Sequence, residues 1–207
     1  MKINENDLSI LRNKVKSILS SKRYLHTVSV EKCAEKLAIA LNIEDVGIVR
    51  AAALLHDITK ELDFNEQTRI LKDEALTSED LDTPAILHSF SAPLVILRDF
   101  PEYRDKRILS AVKNHTVGDE GMSLIDLIIF IADYAEETRT NESCISVNKY
   151  LFLGLDGLEH AERLKRLYNA CLMAIGFTKE YLSRSGKSIN PRTDRCEKFL
   201  KEQILHL

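Results

Sequence analysis

The chain reads as an all-α protein, one domain over its 207 residues. Three observations predict this. Apolar residues recur at i, i+3, i+4 and i+7, the stripe of an amphipathic helix. Alternating strand patterns are scarce. Only seven glycines and four prolines punctuate the chain.

In order, Leu8, Leu11, Val15, Ile18 and Leu19 mark a first helix from Asp7 to about Leu19. A break at Ser20-Ser21-Lys22-Arg23 precedes a second helix, Tyr24 to Leu41, carrying Val28, Val30, Ala34, Leu37 and Ala38, with His26 in its first turn. Asp45 is positioned to cap the next helix, Val46 to His56. Its alanines, Ala51 to Ala53, suit close packing, so this helix should be central. A short helix spans Phe64 to Leu71, and Thr77 to Thr83 reads as a polar loop. Pro84 opens a helix over Ala85–Arg98. Pro101 begins another, Tyr103 to Asn114, with His115 at its end. After the loop Thr116–Gly121, Ser123 caps the most apolar helix, Leu124 to Glu137. The segment after Arg139 is less regular as far as Gly157. One long helix from Leu158 to Ser183, with a bend expected near Gly176, a loop over Ser185–Pro191 and a helix from Arg192 to Leu205 complete the chain. The expected division is a core over roughly residues 20–140 with the helices of 141–207 packed on it.

Composition excludes several roles. The net charge is −3 and no long basic run exists, which argues against binding a nucleic-acid polymer. No run of about 18 apolar residues is present, so no helix is expected to span a membrane. The N-terminus has charges and no apolar stretch of the signal-peptide kind. The four cysteines, Cys33, Cys144, Cys171 and Cys196, form no CxxC pair. Together these features point to a soluble protein of the reducing cytoplasm. The first and last helices offer faces for a homodimer, although ordinary core packing explains them equally well.

The chemistry gathers around His56-Asp57, inside Arg50-Ala-Ala-Ala-Leu-Leu-His-Asp-Ile-Thr-Lys60. An imidazole and a carboxylate together suit a metal that takes mixed nitrogen and oxygen ligands. A His-Asp dipeptide also serves as a buried hydrogen bond. His26, His88 and His115 join as candidates, each in a separate helix or at its end. Taken singly, His26 also fits a surface residue, His88 a partly buried polar group, and His115 a favourable partner of a helix C-terminus. Asp133 follows a long apolar run, where a buried carboxylate must be paired or bind a metal. His160 and His206 stand in charged surroundings and are left out. Helical bundles build metal sites from ligands spread in this way.

The order His26, His56-Asp57, His88, His115, Asp133 resembles the HD-domain metal-dependent phosphohydrolase superfamily. The two histidines between the pair and the last aspartate resemble its two-metal branch. Tyr24-Leu-His-Thr27, Leu54-Leu-His-Asp-Ile-Thr-Lys60, Asn114-His-Thr-Val-Gly118, Met122-Ser-Leu-Ile125, Ile131-Ala-Asp-Tyr-Ala-Glu136 with Arg139, and Lys187-Ser-Ile-Asn-Pro191 with Thr193 are similar to the bacterial YqeK family. The likeness covers about residues 20 to 195. It departs at Asn190, where a histidine is usual, and at Glu137, where a proline is usual.

The resemblance implies a symmetrical bis(5'-nucleosyl)-tetraphosphatase, cutting diadenosine tetraphosphate into two ADP, with iron as its metal. Manganese or another divalent metal is chemically compatible. Six protein ligands exceed what one octahedral ion can use, so two ions about 3.5–4 Å apart are expected. Asp57 is expected to bridge them, with His26, His56 and Asp133 on one ion and His88 and His115 on the other. A bridging hydroxide would attack the phosphorus. Lys60 is expected one helical turn after His56 on the same face, balancing transition-state charge beside the catalytic Asp57. Substrate contacts are expected from Lys60, His88, His115, Glu136, Arg139 and Lys187. The rivals are an HD phosphohydrolase of another nucleotide or cyclic dinucleotide, although no GYP-like motif is present, and a nucleotide-sensing or scaffold protein without catalysis.

Overall fold

The computed structural model describes residues 2–207. It contains eleven α-helices and no strand among those residues: α1 (Glu5–Ile18), α2 (Ser21–Ala40), α3 (Val46–Leu55), α4 (Phe64–Ile70), α5 (Ser78–Leu81), α6 (Leu87–Asp99), α7 (Lys106–Asn114), α8 (Leu124–Ala135), α9 (Glu142–Phe152), α10 (His160–Arg184) and α11 (Pro191–Leu205). One-turn 3-10 helices lie at Pro84–Ile86, Pro101–Tyr103 and Leu155–Gly157. Among the described residues no helix is long and apolar enough to cross a membrane.

The centre is α3. Its alanines Ala51, Ala52 and Ala53 are wholly buried together with Leu54 and Leu55. Small side chains let neighbours approach closely, and α3 packs against α1, α2, α7 and α8. α8 lies alongside, with Ile128, Ile129 and Ile131 buried, and α10 covers it from the other side. Leu167, Ala170, Cys171 and Ala174 of α10 close that layer. Buried Glu31 ties α1, α2 and α3 together. Arg12 grips it with two hydrogen bonds of 2.8 and 2.6 Å, and Arg50 adds a third of 3.0 Å.

The helix starts follow from capping. Ser20 caps α2 through Arg23 N, so this helix begins at Ser21 and His26 falls in its second turn, not the first. Ser123 and Asp126 form a reciprocal capping box at α8. Asp45 precedes α3 but makes no capping hydrogen bond. Its carboxylate is paired with Arg107 at 2.5 Å, and a charged partner outcompetes a backbone amide for it.

Other boundaries differ from expectation. Thr77–Thr83 holds one helical turn, because Thr77 and Asp80 form a capping box there. Pro84 opens a 3-10 turn, and α6 starts three residues later. The segment after Arg139 contains the regular helix α9, which buries Cys144, Val147 and Leu151. Finally, α10 runs through Gly176 as a single α-helix.

Candidate metal centre

Helix ends deliver the six candidate ligands to one place. α3 ends at Leu55, with His56 as its C-cap and Asp57 directly after. α7 ends at Asn114, with His115 as its C-cap. His88 is the second residue of α6, Asp133 lies in the last turn of α8, and His26 stands near the start of α2. His26, His56, Asp57, His88 and His115 are buried. Asp133 is not: 23% of its side chain stays exposed, beside the groove described below. The apolar run before it belongs to the inner face of α8, and Asp133 comes where that helix reaches the surface.

The carboxylate of Asp57 divides the cluster. Its Oδ2 lies 3.4 Å from His56 Nε2 and 3.8 Å from His26 Nε2. Its Oδ1 lies 3.3 Å from His88 Nε2 and 3.6 Å from His115 Nε2. Asp133 Oδ1 joins the first group, 3.0 Å from His26 Nε2 and 3.8 Å from His56 Nε2. These atoms form overlapping ligand groups, among them His26–His56–Asp57 and Asp57–His88–His115.

The tautomers of three histidines follow from their outer partners. His56 Nδ1 donates to Ala53 O at 2.7 Å, and His115 Nδ1 donates to Val112 O at 2.7 Å. A carbonyl only accepts, so each Nδ1 carries its proton and each Nε2 presents a lone pair inward. His26 Nδ1 donates to Glu136 Oε1 at 3.1 Å in the same manner. Inside the cluster, the Nε2 atoms of His26 and His56 are buried and have no hydrogen-bond partner. Buried polar atoms are nearly always paired. Two inward lone pairs beside carboxylate oxygens are what a cation would satisfy, so the donor set fits transition-metal ions.

Electrostatics agree. Burial would raise the Asp57 carboxyl, but the surrounding imidazoles hold it well below the usual carboxylate range. Burial, the neighbouring His115 and Lys60 push His88 well below the ordinary histidine value, which keeps it neutral. Burial also opposes charge on His26, yet Asp133 and Glu136 hold it up to about 9. Surroundings that favour a proton there favour a metal cation, which displaces the proton on binding.

Around the ligands, Lys60 is partly buried, and burial lowers its pKa. The chain turns after Leu55, so Lys60 shares no helical face with His56; its Nζ lies 3.2 Å from His88 Nδ1. Glu136 is buried behind His26 and also accepts from Thr138 Oγ1 at 2.7 Å. Arg139 Nη2 donates to Asp133 Oδ1 at 2.6 Å. Lys187 is exposed on the loop after α10, 6.0 Å from the Tyr181 ring centre, and no contact brings it to the cluster. Asn190 caps α11 and donates to Asp80 Oδ1 at 3.1 Å.

Two contributors escaped the sequence reading. Arg23 Nη1 donates to Asp57 Oδ2 at 2.8 Å. It sits three residues before His26 on α2, and that i, i+3 spacing was the available signal. Thr59 Oγ1 donates to His88 O at 3.0 Å and fixes the start of α6 against the Asp57 turn; it stands inside the Leu54–Lys60 stretch, but no local pattern shows that contact. Arg23 and Arg139 line a groove of about 700 Å3 with Lys22, His26, Glu136 and Asn141.

Comparison with known proteins places this arrangement. The HD domain family model matches residues 23–138. A symmetrical bis(5'-nucleosyl)-tetraphosphatase of Bacillus subtilis (strain 168) is 29% identical over 180 residues, covering 86% of this chain and 89% of that protein. A probable nicotinate-nucleotide adenylyltransferase/Ap4A hydrolase of Mycoplasma genitalium is 31% identical over 162 residues, 77% of this chain. The chain spans only 45% of that longer relative. A crystal structure of a predicted HD superfamily hydrolase involved in NAD metabolism, from Clostridium acetobutylicum, superposes with a TM-score of 0.81 at 26% identity, over 97% of this chain and 99% of that one. The family match takes in all six of the clustered candidate ligands, and the chain belongs to the HD domain family.

Proposed function

We propose that this protein is a metal-dependent phosphohydrolase that cleaves diadenosine tetraphosphate symmetrically. One water adds across the central P–O–P anhydride, giving two ADP and releasing a proton. The observation that carries the reading is the divided carboxylate of Asp57, each oxygen facing its own pair of imidazoles at the edge of a basic groove.

Each residue has a role in this reading. Asp57 would be shared by two ion sites, with His26, His56 and Asp133 completing one ligand set and His88 and His115 the other. Two transition-metal ions held there, iron first and manganese as the alternative, would supply Lewis acidity and a water active at neutral pH. Glu136 holds the His26 ring and its tautomer, so it acts by positioning. Arg23 and Arg139 exchange their carboxylate partners for phosphate oxygens when a polyphosphate enters, since a guanidinium suits either anion. Lys60 places a cation on the opposite, His88 side and offsets charge that develops on the leaving phosphate.

The relatives, one named a probable Ap4A hydrolase and one a symmetrical bis(5'-nucleosyl)-tetraphosphatase, support the substrate assignment. The test is product analysis. Metal-loaded protein incubated with diadenosine tetraphosphate should give ADP alone. ATP with AMP, or turnover confined to other nucleotides in a parallel panel, would refute the assignment.

A further inference from the structure

The polyphosphate groove opens on the His26 side of the cluster. A second space lies on the His88–His115 side, between α8, α10 and the loop leading into α11. It is a narrow cavity of about 170 Å3 whose walls include Ile86, Val117, Phe130 and Ile175. Pockets that engulf a drug-sized ligand measure roughly 300–1,000 Å3. This one has room for a ring system, not for a whole nucleotide.

Two residues join the cavity to the metal centre. Thr116 lines it, and its Oγ1 lies 3.1 Å from His88 Nε2 and 3.0 Å from His115 Nε2. Ala85 also lines it, and its carbonyl accepts from Lys60 Nζ at 3.4 Å. A group seated in the cavity is therefore one side chain away from two candidate ligands.

The polar lining divides in two. Thr193 donates to Val117 O at 3.1 Å, and Asn190 is committed to Arg192 and Asp80, so these residues build the wall. The hydroxyls of Thr178 and Ser188 have no such commitment among the described residues and remain for a ligand. Apolar walls with a few hydroxyls match a nucleobase, which has apolar faces and a polar edge.

We propose that this cavity seats the base of one nucleotide unit, whose phosphates reach the metal centre from the His88–His115 side. The inference rests on the phosphohydrolase reading above. The second unit then extends along the Arg23–Arg139 groove, which has no comparable enclosure for a base. The seated base is the fixed end of a ruler, and the cut falls at a set number of phosphates from it. Recognition is unequal: one base is selected and the other tolerated.

The test uses the full metal-loaded chain and 2-azidoadenosine 5'-diphosphate as a photoprobe, with peptide mapping, and turnover of diadenosine tetraphosphate is measured on the same preparation. Label within the segments that line the cavity, residues 83–86, 116–117, 130 and 175–193, suppressed by excess ADP, is the expected result. Label confined to α2 or residues 136–141, or no suppressible label, overturns the cavity assignment. Turnover without label in the lining segments overturns the cavity alone; label there without turnover upholds the cavity and overturns the activity. As a second arm, Thr178→Phe fills the space. It should raise KM by about tenfold or more, the size of a lost apolar contact, and by more than it lowers kcat, with metal content unchanged. An unchanged KM in a folded, metal-replete variant also overturns the assignment.

Discussion

Replacing Asp57 by Asn keeps the shape of the side chain and removes the charge that, in the proposed reading, both ligand sets share. In the structure, Oδ2 serves the His26–His56 side and Oδ1 the His88–His115 side, all within 3.3–3.8 Å. Removing an outer histidine cripples one set; removing this carboxylate cripples both. An ion present at a hundred times its dissociation constant stabilises the folded chain by about 2.7 kcal/mol. In a chain of this length 1 kcal/mol moves Tm by about 2–4 °C. Each ion should therefore raise Tm by about 5–10 °C. The wild type is expected to bind two ions and show about twice that increase. His88→Ala should bind one ion and show about half the wild-type increase. Asp57→Asn should bind none and melt at the same temperature with or without metal. Elemental analysis of dialysed protein and paired thermal scans read this without any substrate. If Asp57→Asn keeps one ion and half the increase, the carboxylate does not bridge, and the reasoning fails.

Glu136→Gln should weaken metal binding at the His26 side by about 10–100-fold, the usual cost of losing a ligand's outer partner, while the His88–His115 side binds as before; calorimetric titration of metal into apo protein resolves the two. Asp80 is raised by burial but drawn down to about 2 by Arg192 and Asn190. Its lowered value means that the stability it adds is present above pH 4 and disappears as pH falls through about 2. Urea unfolding should show Asp80→Asn less stable than wild type by about 2 kcal/mol at pH 6, with the gap closing towards pH 2. Gly118 has a φ of +68°, and an added Cβ would lie 2.5 Å from Cys196 Sγ. Gly118→Ala should cost about 2–4 kcal/mol by denaturant titration, since strain and overpacking combine.

Much of the fold was readable because its helices begin at residues that cap them. Ser123 shows its role in one dimension, for the oxygen that caps lies within three residues of the amide it serves; Ser20 caps α2 in the same way, but it stands in a polar run that reads as a break, so that helix starts three residues earlier than expected. Asp45 misled for the converse reason: Arg107, distant in sequence, claims its carboxylate. The helix α9 was hidden because its buried side is set by packing on α8 and α10. In the site, the six candidate ligands were legible as rare chemistry at helix ends, and the structure gathers all of them. Arg23 was not, because an arginine in Ser-Lys-Arg-Tyr looks solvated until the fold sets it on Asp57. Thr59 acts through a carbonyl of another helix, a contact that no local pattern encodes.

The stopping points of α3 and α7 have a consequence for how this protein can change. Each ends so that a last-turn carbonyl, Ala53 O or Val112 O, receives an imidazole proton in place of a further backbone amide. Those acceptors belong to the main chain, so no side-chain replacement deletes them. Only a shift in where the helix ends could do so. His26 relies instead on the carboxylate of Glu136, which a single codon can remove. Each half of the centre thus pairs one histidine held by the main chain, His56 or His115, with one whose outer partner is a side chain, Glu136 behind His26 and Lys60 beside His88. Lineages drifting away from catalysis should lose the settings of His26 and His88 before those of His56 and His115.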